Sequence, residues 1–294
     1  VPQTTAPNSK RRLAITYVIA LIAVMIVLIA AVAWTRSQTG NSASPKTQAD
    51  FGHVHGLGVD PESGDLYAGT HYGVFKINET GETSQIGPTR DYMGFTITST
   101  GRFLASGHPG ISEDAPGMLG LIESTDSGEK WKTLSLSGNA DFHTLEVNGN
   151  RIYGHTGGQL MVSDDGKNWS ARAERPIDDL AIHPADVNSL VATTQDGLIV
   201  SSNAGTTFTP LPQRNPALSL LTWPDESSLF GLSSQGQVEV SNDGGRTWEQ
   251  RGTVGAAVDA ITATRDALYV ATPVGIVKSV DGGRTFITIA RNSQ

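Results

Sequence analysis

An eight-residue turn, Ser241-Asn242-Asp243-Gly244-Gly245-Arg246-Thr247-Trp248, recurs along the second half of the chain at an almost constant interval. The copies begin at Ser124, Ser163, Ser201 and Ser279, so the successive steps are 39, 38, 40 and 38 residues. A period of this length holds four short strands with their connections, the unit of a propeller blade. Within the octet, Ser and Asp side chains can take backbone N–H groups and glycine supplies a positive φ. The closing aromatic packs under the loop and starts the next strand.

The last repeat predicts strands A to D, counted outwards from the channel, at 258–263, 268–272, 275–280 and 286–290. Extending this template gives six blades, the first five beginning near His53, Asp91, Asp141, Ile177 and Ala217. Blade 1 carries a degenerate turn, Ile77-Asn78-Glu79-Thr80-Gly81, and blade 2 an insertion over 108–118. Because blade 1 begins with an A strand and blade 6 ends with a D strand, the ring is expected to close without exchanging a strand.

The octet resembles the Asp-box (BNR) repeat, S-x-D-x-G-x-T-W, of sialidase-like, glycosyl-hydrolase-like propellers and of an assembly factor of photosynthetic membranes. The resemblance covers residues 51–294. Asn203 replaces the Asp in one copy, Phe286 the Trp in the last, and the Ser163 copy is one residue short. It implies an all-β, six-bladed β-propeller with Asp-box turns; the box itself is structural and implies no catalysis.

The chain has no cysteine, so disulfides contribute nothing to stability. Residues 13–35 are uncharged and mostly apolar, long enough to cross the roughly 30 Å hydrocarbon layer as a helix. Lys10, Arg11 and Arg12 precede this segment, so the positive-inside rule predicts a cytoplasmic tail over 1–12, a signal anchor over 13–35 and a propeller outside the cytoplasmic membrane. A cleaved signal peptide is the alternative, with Ala31-Val32-Ala33 as the cleavage site. Residues 36–50 are small and polar and read as a flexible linker. Setting aside the cations of residues 1–36, Lys46 and Asp50 leaves 16 cations against 28 acids in residues 51–294, a formal −12. Such a charge argues against a nucleic-acid partner and against adhesion to anionic lipid.

Aligning the A strands puts Leu57, Phe95, Leu145, Leu180, Leu220 and Ile261 in one core column. Residues i and i+2 share a strand face. Two positions earlier the column reads His55, Met93, His143, Asp178, Leu218 and Asp259, and two earlier again His53, Asp91 and Asp141. The column thus turns polar towards the channel mouth, the face that also bears the B–C turns. His71, His108 and His155 fall on that face as well; His183, in an A–B turn, falls opposite.

Three readings of the mouth follow. In the first, His53, His55 and His143 hold a metal, with Asp91, Asp141 or Asp178 completing the set. Imidazole and carboxylate suit zinc or copper, and Met93 and Met118 would tilt the choice towards copper(I). In the second, histidines and aspartates form a hydrated polar funnel. In the third, Asp91, Asp141 and Asp178 are catalytic carboxylates of an exo-sialidase-like glycoside hydrolase. The sialidase resemblance implies three arginines, a Tyr–Glu pair and an acidic aspartate. Arg90, Arg175 and Arg214 lie on the mouth side, but the Arg-Ile-Pro signature is absent and no Tyr–Glu pair is identifiable. Arg90, Tyr92, His71 and His108 remain as candidate ligand-binding residues. The expectation is a non-catalytic ligand-, metal- or partner-binding module, whose partner would be a membrane-protein complex or a cell-surface glycan.

Overall fold

The computed structural model describes residues 50–212 and 216–293. Among these residues, 24 strands form six four-stranded antiparallel sheets, each built from four strands consecutive in the chain. The expected six-bladed propeller is therefore present, without strand exchange between the ends. The segment expected to span a membrane lies outside the described residues. Among those described, no helix is long and apolar enough to cross one.

The innermost strands are Val54–Val59, Asp91–Ile97, Thr144–Asn148, Asp179–His183, Leu220–Asp225 and Ala260–Ala263. Each touches the next around the ring, and the last touches the first. Their backbones approach closely enough to restrict side chains. A Cβ on Gly56 would lie 2.5 Å from the Phe95 carbonyl oxygen, and one on Gly94 would lie 2.5 Å from that of Phe142. Between blades the sheets are held apart by packed apolar side chains such as Phe103, Phe142, Leu180 and Val270, all fully buried. Packing of this kind, proportional to apolar area removed from water, is what holds blade to blade.

The repeated turns adopt one hydrogen-bonded design. The buried Ser241 hydroxyl donates to Asp243 Oδ1 at 2.8 Å and accepts the Gly245 N–H at 2.8 Å. Asp243 accepts the Thr247 N–H at 2.9 Å and its hydroxyl at 2.7 Å, and Trp248 Nε1 donates to the Gly245 carbonyl at 2.9 Å. Gly245 has φ 84°, a conformation a side chain would resist. Ser124, Ser201 and Ser279 repeat the serine bonds, with Asn203 Oδ1 standing in for the carboxylate in the Ser201 turn. In the shortened Ser163 copy, Ser135 fills the missing place: Trp169 Nε1 donates to the Ser135 hydroxyl, which donates to the Gly166 carbonyl. In blade 1, Asn78 Oδ1 does the work of the aspartate, accepting the N–H groups of Thr80 and Glu82.

One register differs from the sequence alignment. Leu221, not Leu220, pairs with Gly231 as Leu57 pairs with Ala68 and Leu145 with Gly154. Leu221 is accordingly buried and Leu220 only half-buried. The slip arises because this strand carries Trp223-Pro224 and an irregular pairing before Asp225; proline cannot donate to the ladder, which removes the usual periodic signal.

Ser241→Ala leaves the Gly245 N–H buried without its acceptor and should destabilise the domain by about 1–3 kcal/mol. Denaturant unfolding checks this, and the exposed Thr247→Ala should cost less than about 1 kcal/mol in the same measurement.

Candidate functional site

The mouth of the ring gathers histidines and aspartates into two groups. In the first, His53 precedes the innermost strand of blade 1, His55 sits within it, and His71 stands in the turn that follows Thr70. The strand register is irregular between Val54 and Gly56, which places His55 in a β-bulge. Bulges re-aim side chains out of the regular alternation. Here the result is that one nitrogen from each of His53, His55 and His71 lies within 4.8 Å of the others. His55 Nε2 is 3.3 Å from His71 Nε2.

Two carboxylates fix this group. Asp91 Oδ1 is 2.8 Å from His71 Nδ1 and 4.0 Å from His55 Nε2, and Asp259 Oδ1 is 3.4 Å from His53 Nε2. His55 Nε2 stands equally close, at 3.3 Å, to Nδ1 of His71, which donates to Asp91, leaving Nε2 of His71 as its free nitrogen. Burial, together with the neighbouring His53 and His71, pulls the pKa of His55 down to about 4. His55 is therefore neutral at physiological pH, with a lone pair available.

The second group centres on Asp141. Its Oδ2 is 3.0 Å from His143 Nε2 and 3.3 Å from His108 Nε2, while His108 Nδ1 is 2.7 Å from the Gly117 carbonyl in the insertion. Burial pushes the Asp141 carboxyl up, but the hydrogen bond from His143 and the charges of His143 and His108 outweigh it and hold it below its usual value. The same contact raises His143. His143 is thus paired with Asp141, and His71 stands third beside His53 and His55. Strand alternation could not reveal His71, because it lies in a turn; its signal was the hairpin pairing of Val54 with Thr70, which sets it across from His53.

The remaining candidates are dispersed. Arg90 Nε donates to both oxygens of Glu113, at 2.8 and 3.0 Å. Tyr92 is buried against Trp131, with ring centroids 5.2 Å apart, and burial raises its hydroxyl strongly. Asp178 is exposed, and its carbonyl accepts the Thr144 hydroxyl. His155 is buried and bonded to the Arg175 carbonyl. Arg214 lies outside the described residues. Met93 falls in a second register irregularity, between Tyr92 and Gly94.

Below the mouth, residues of all six innermost strands enclose a cavity of about 60 Å³. Glu146 and Asp179 line it, and the accessible surface they keep faces this cavity. Burial and the neighbouring Asp179 raise Glu146 well above its usual value. Asp179 accepts the Leu221 N–H at 2.7 Å, yet burial still pushes it up to about 7. The available signal was an acid within the inner strand for Glu146 and at its first position for Asp179.

Residues 113–217 match the DUF6242 beta propeller domain. No curated protein matches the chain. Among solved structures, the GH74 enzyme of Niastella koreensis matches with TM-score 0.60 and 14% identity over 82% of this chain and 46% of that one. The GH74 xyloglucanase from Xanthomonas campestris matches with TM-score 0.56 and 16% identity over 82% and 46%. A gluconolactonase from Xanthomonas campestris matches with TM-score 0.60 and 13% identity over 77% and 84%. The chain spans about half the length of those two GH74 enzymes. At such identities the likeness is one of fold.

The raised pKa of Asp179 has a signed consequence. Above about pH 3.9 the unfolded carboxyl loses a proton that the folded one keeps, so the penalty on folding grows from there to about pH 7 and is constant beyond. Asp179→Asn retains an acceptor for Leu221 and should raise the melting temperature by several degrees at pH 8, but by much less at pH 4. Equal effects at the two pH values would show that Asp179 ionises normally.

Proposed function

We propose that this chain is a membrane-anchored, extracytoplasmic Asp-box propeller whose mouth retains a zinc or copper ion on His53, His55 and His71. The observation that carries the reading is the three-imidazole group with nitrogens within 4.8 Å. Two ligands on a tetrahedral ion with bonds of 2.0–2.1 Å stand about 3.3 Å apart, the separation of His55 Nε2 and His71 Nε2. A nitrogen of His53 lies within 4.8 Å of both. Asp91 acts behind His71 as the carboxylate that selects its tautomer, an arrangement typical of histidine metal ligands. The ion makes the mouth a binding centre for a ligand or for a neighbouring membrane-protein complex.

A glycosidase built on a pair of mouth carboxylates is less well supported. Asp91 and Asp141 are each committed to histidines, and Arg90 to Glu113. Solved propellers of similar fold include glycoside hydrolases and a gluconolactonase. Turnover of a glycoside or lactone panel by the metal-loaded chain would bring the hydrolytic reading forward.

Elemental analysis of the purified chain after dialysis against trace zinc and copper should find close to one ion per molecule, and His55→Ala should abolish retention. Asp91→Asn should weaken affinity about 10–100-fold, whereas His143→Ala should leave the metal content unchanged. Metal at 100 times its dissociation constant should stabilise the fold by about 2.7 kcal/mol. Unchanged metal content in His55→Ala would sink the proposal.

A further inference from the structure

A second cavity lies away from the histidine-rich mouth, between blades 4 and 5. Its volume is about 570 Å³, and its walls include Trp223, His183, Glu226, Asn242 and Arg246 above an aliphatic floor that includes Val191. This size falls within the range of about 300–1,000 Å³ typical of small-molecule sites.

Trp223 departs from the repeat. It follows Thr222, which pairs with Phe230, as Val59 follows Gly58, which pairs with Tyr67. The same register in the other blades holds Ile97, Val147, Ile182 and Ala263. Five blades therefore put an aliphatic side chain where blade 5 puts an indole. Trp223 Nε1 is buried with no hydrogen-bond partner among the described residues. The ring is held in place by His183, edge to face, with centroids 4.6 Å apart. By contrast, the indole nitrogens of Trp131, Trp169 and Trp248 all have acceptors.

We infer that this cleft is a second binding site, for a neutral mono- or oligosaccharide. The indole N–H is closed off from solvent, so what Trp223 presents to the cleft is its ring. Around it, Glu226 can only accept when ionised, the Arg246 guanidinium can only donate, and Asn242 does both. Asp243 lines the cleft as well, so two carboxylates against one guanidinium disfavour an anion, and the mixture of donors and acceptors suits an uncharged ligand whose groups do both. Vicinal hydroxyls on an apolar ring face have that character, and an indole offers them a broad apolar surface.

The test is isothermal titration of the full chain, stripped of metal with EDTA, against cellotetraose, maltotetraose and chitotetraose. At least one should bind. Trp223→Val restores the side-chain type of the other blades, so it should fold and yet raise the dissociation constant at least about tenfold, through loss of a stacking surface. Trp223→Phe, which keeps a smaller ring, should fall between the two. Affinity unchanged in a folded Trp223→Val, or no binding of any of the three below about 10 mM, would overturn the inference. Persistence of binding without metal separates this site from the histidine centre.

Discussion

Each of the five repeated turns closes around one buried serine hydroxyl that accepts a glycine N–H and donates to an aspartate or asparagine. The aspartate or asparagine in turn receives backbone N–H groups from the far limb of the turn. A hairpin made this way has its buried polar groups satisfied, so the aromatic that follows can turn inward against the next blade. The outer edge of the ring is set by this bond pattern. It leaves the opposite face free to vary, and that is where the polar side chains collect.

On that face, charge is arranged in local pairs. Asp91 serves His71, Asp141 serves His143 and His108, and Asp259 stands by His53. Burial pushes Asp259 up, and the nearby His53 opposes it. Deeper in the channel, Glu146 and Asp179 form no salt bridge among the described residues, and their raised pKa values follow from burial. The mouth thus combines one neutral imidazole, that of His55, with carboxylates engaged in holding its neighbours.

Much of the architecture was readable because the turn residues mark the phase of every blade independently of hydrophobicity. Strand 268–272 of the last blade was placed with its exact limits, and Asn78 was found in its degenerate turn. Where the phase had to be carried across Trp223-Pro224, the alignment slipped by one residue. The polar mouth was readable in the sequence, but which of its side chains stand together was not. Parity along the inner strands pointed to His143, whereas a bulge turned His55 and a B–C turn supplied His71. Glu146 and Asp179 stood on the opposite parity from the column that was followed, and so were passed over.

The ring closes without a shared strand, so its two ends meet through side chains. Asn292 accepts the Phe51 N–H at 2.9 Å and donates to the Gly52 carbonyl at 3.1 Å, across a sequence separation of 241 residues in the first case. His53 follows Gly52 directly and reaches Asp259 of blade 6. The histidine group is therefore built on the seam, the joint whose formation must pay the entropy of closing nearly the whole domain into a loop. Separation of the first and last blades would take Asp259 away from His53, while the three imidazoles, all carried by blade 1, would stay together.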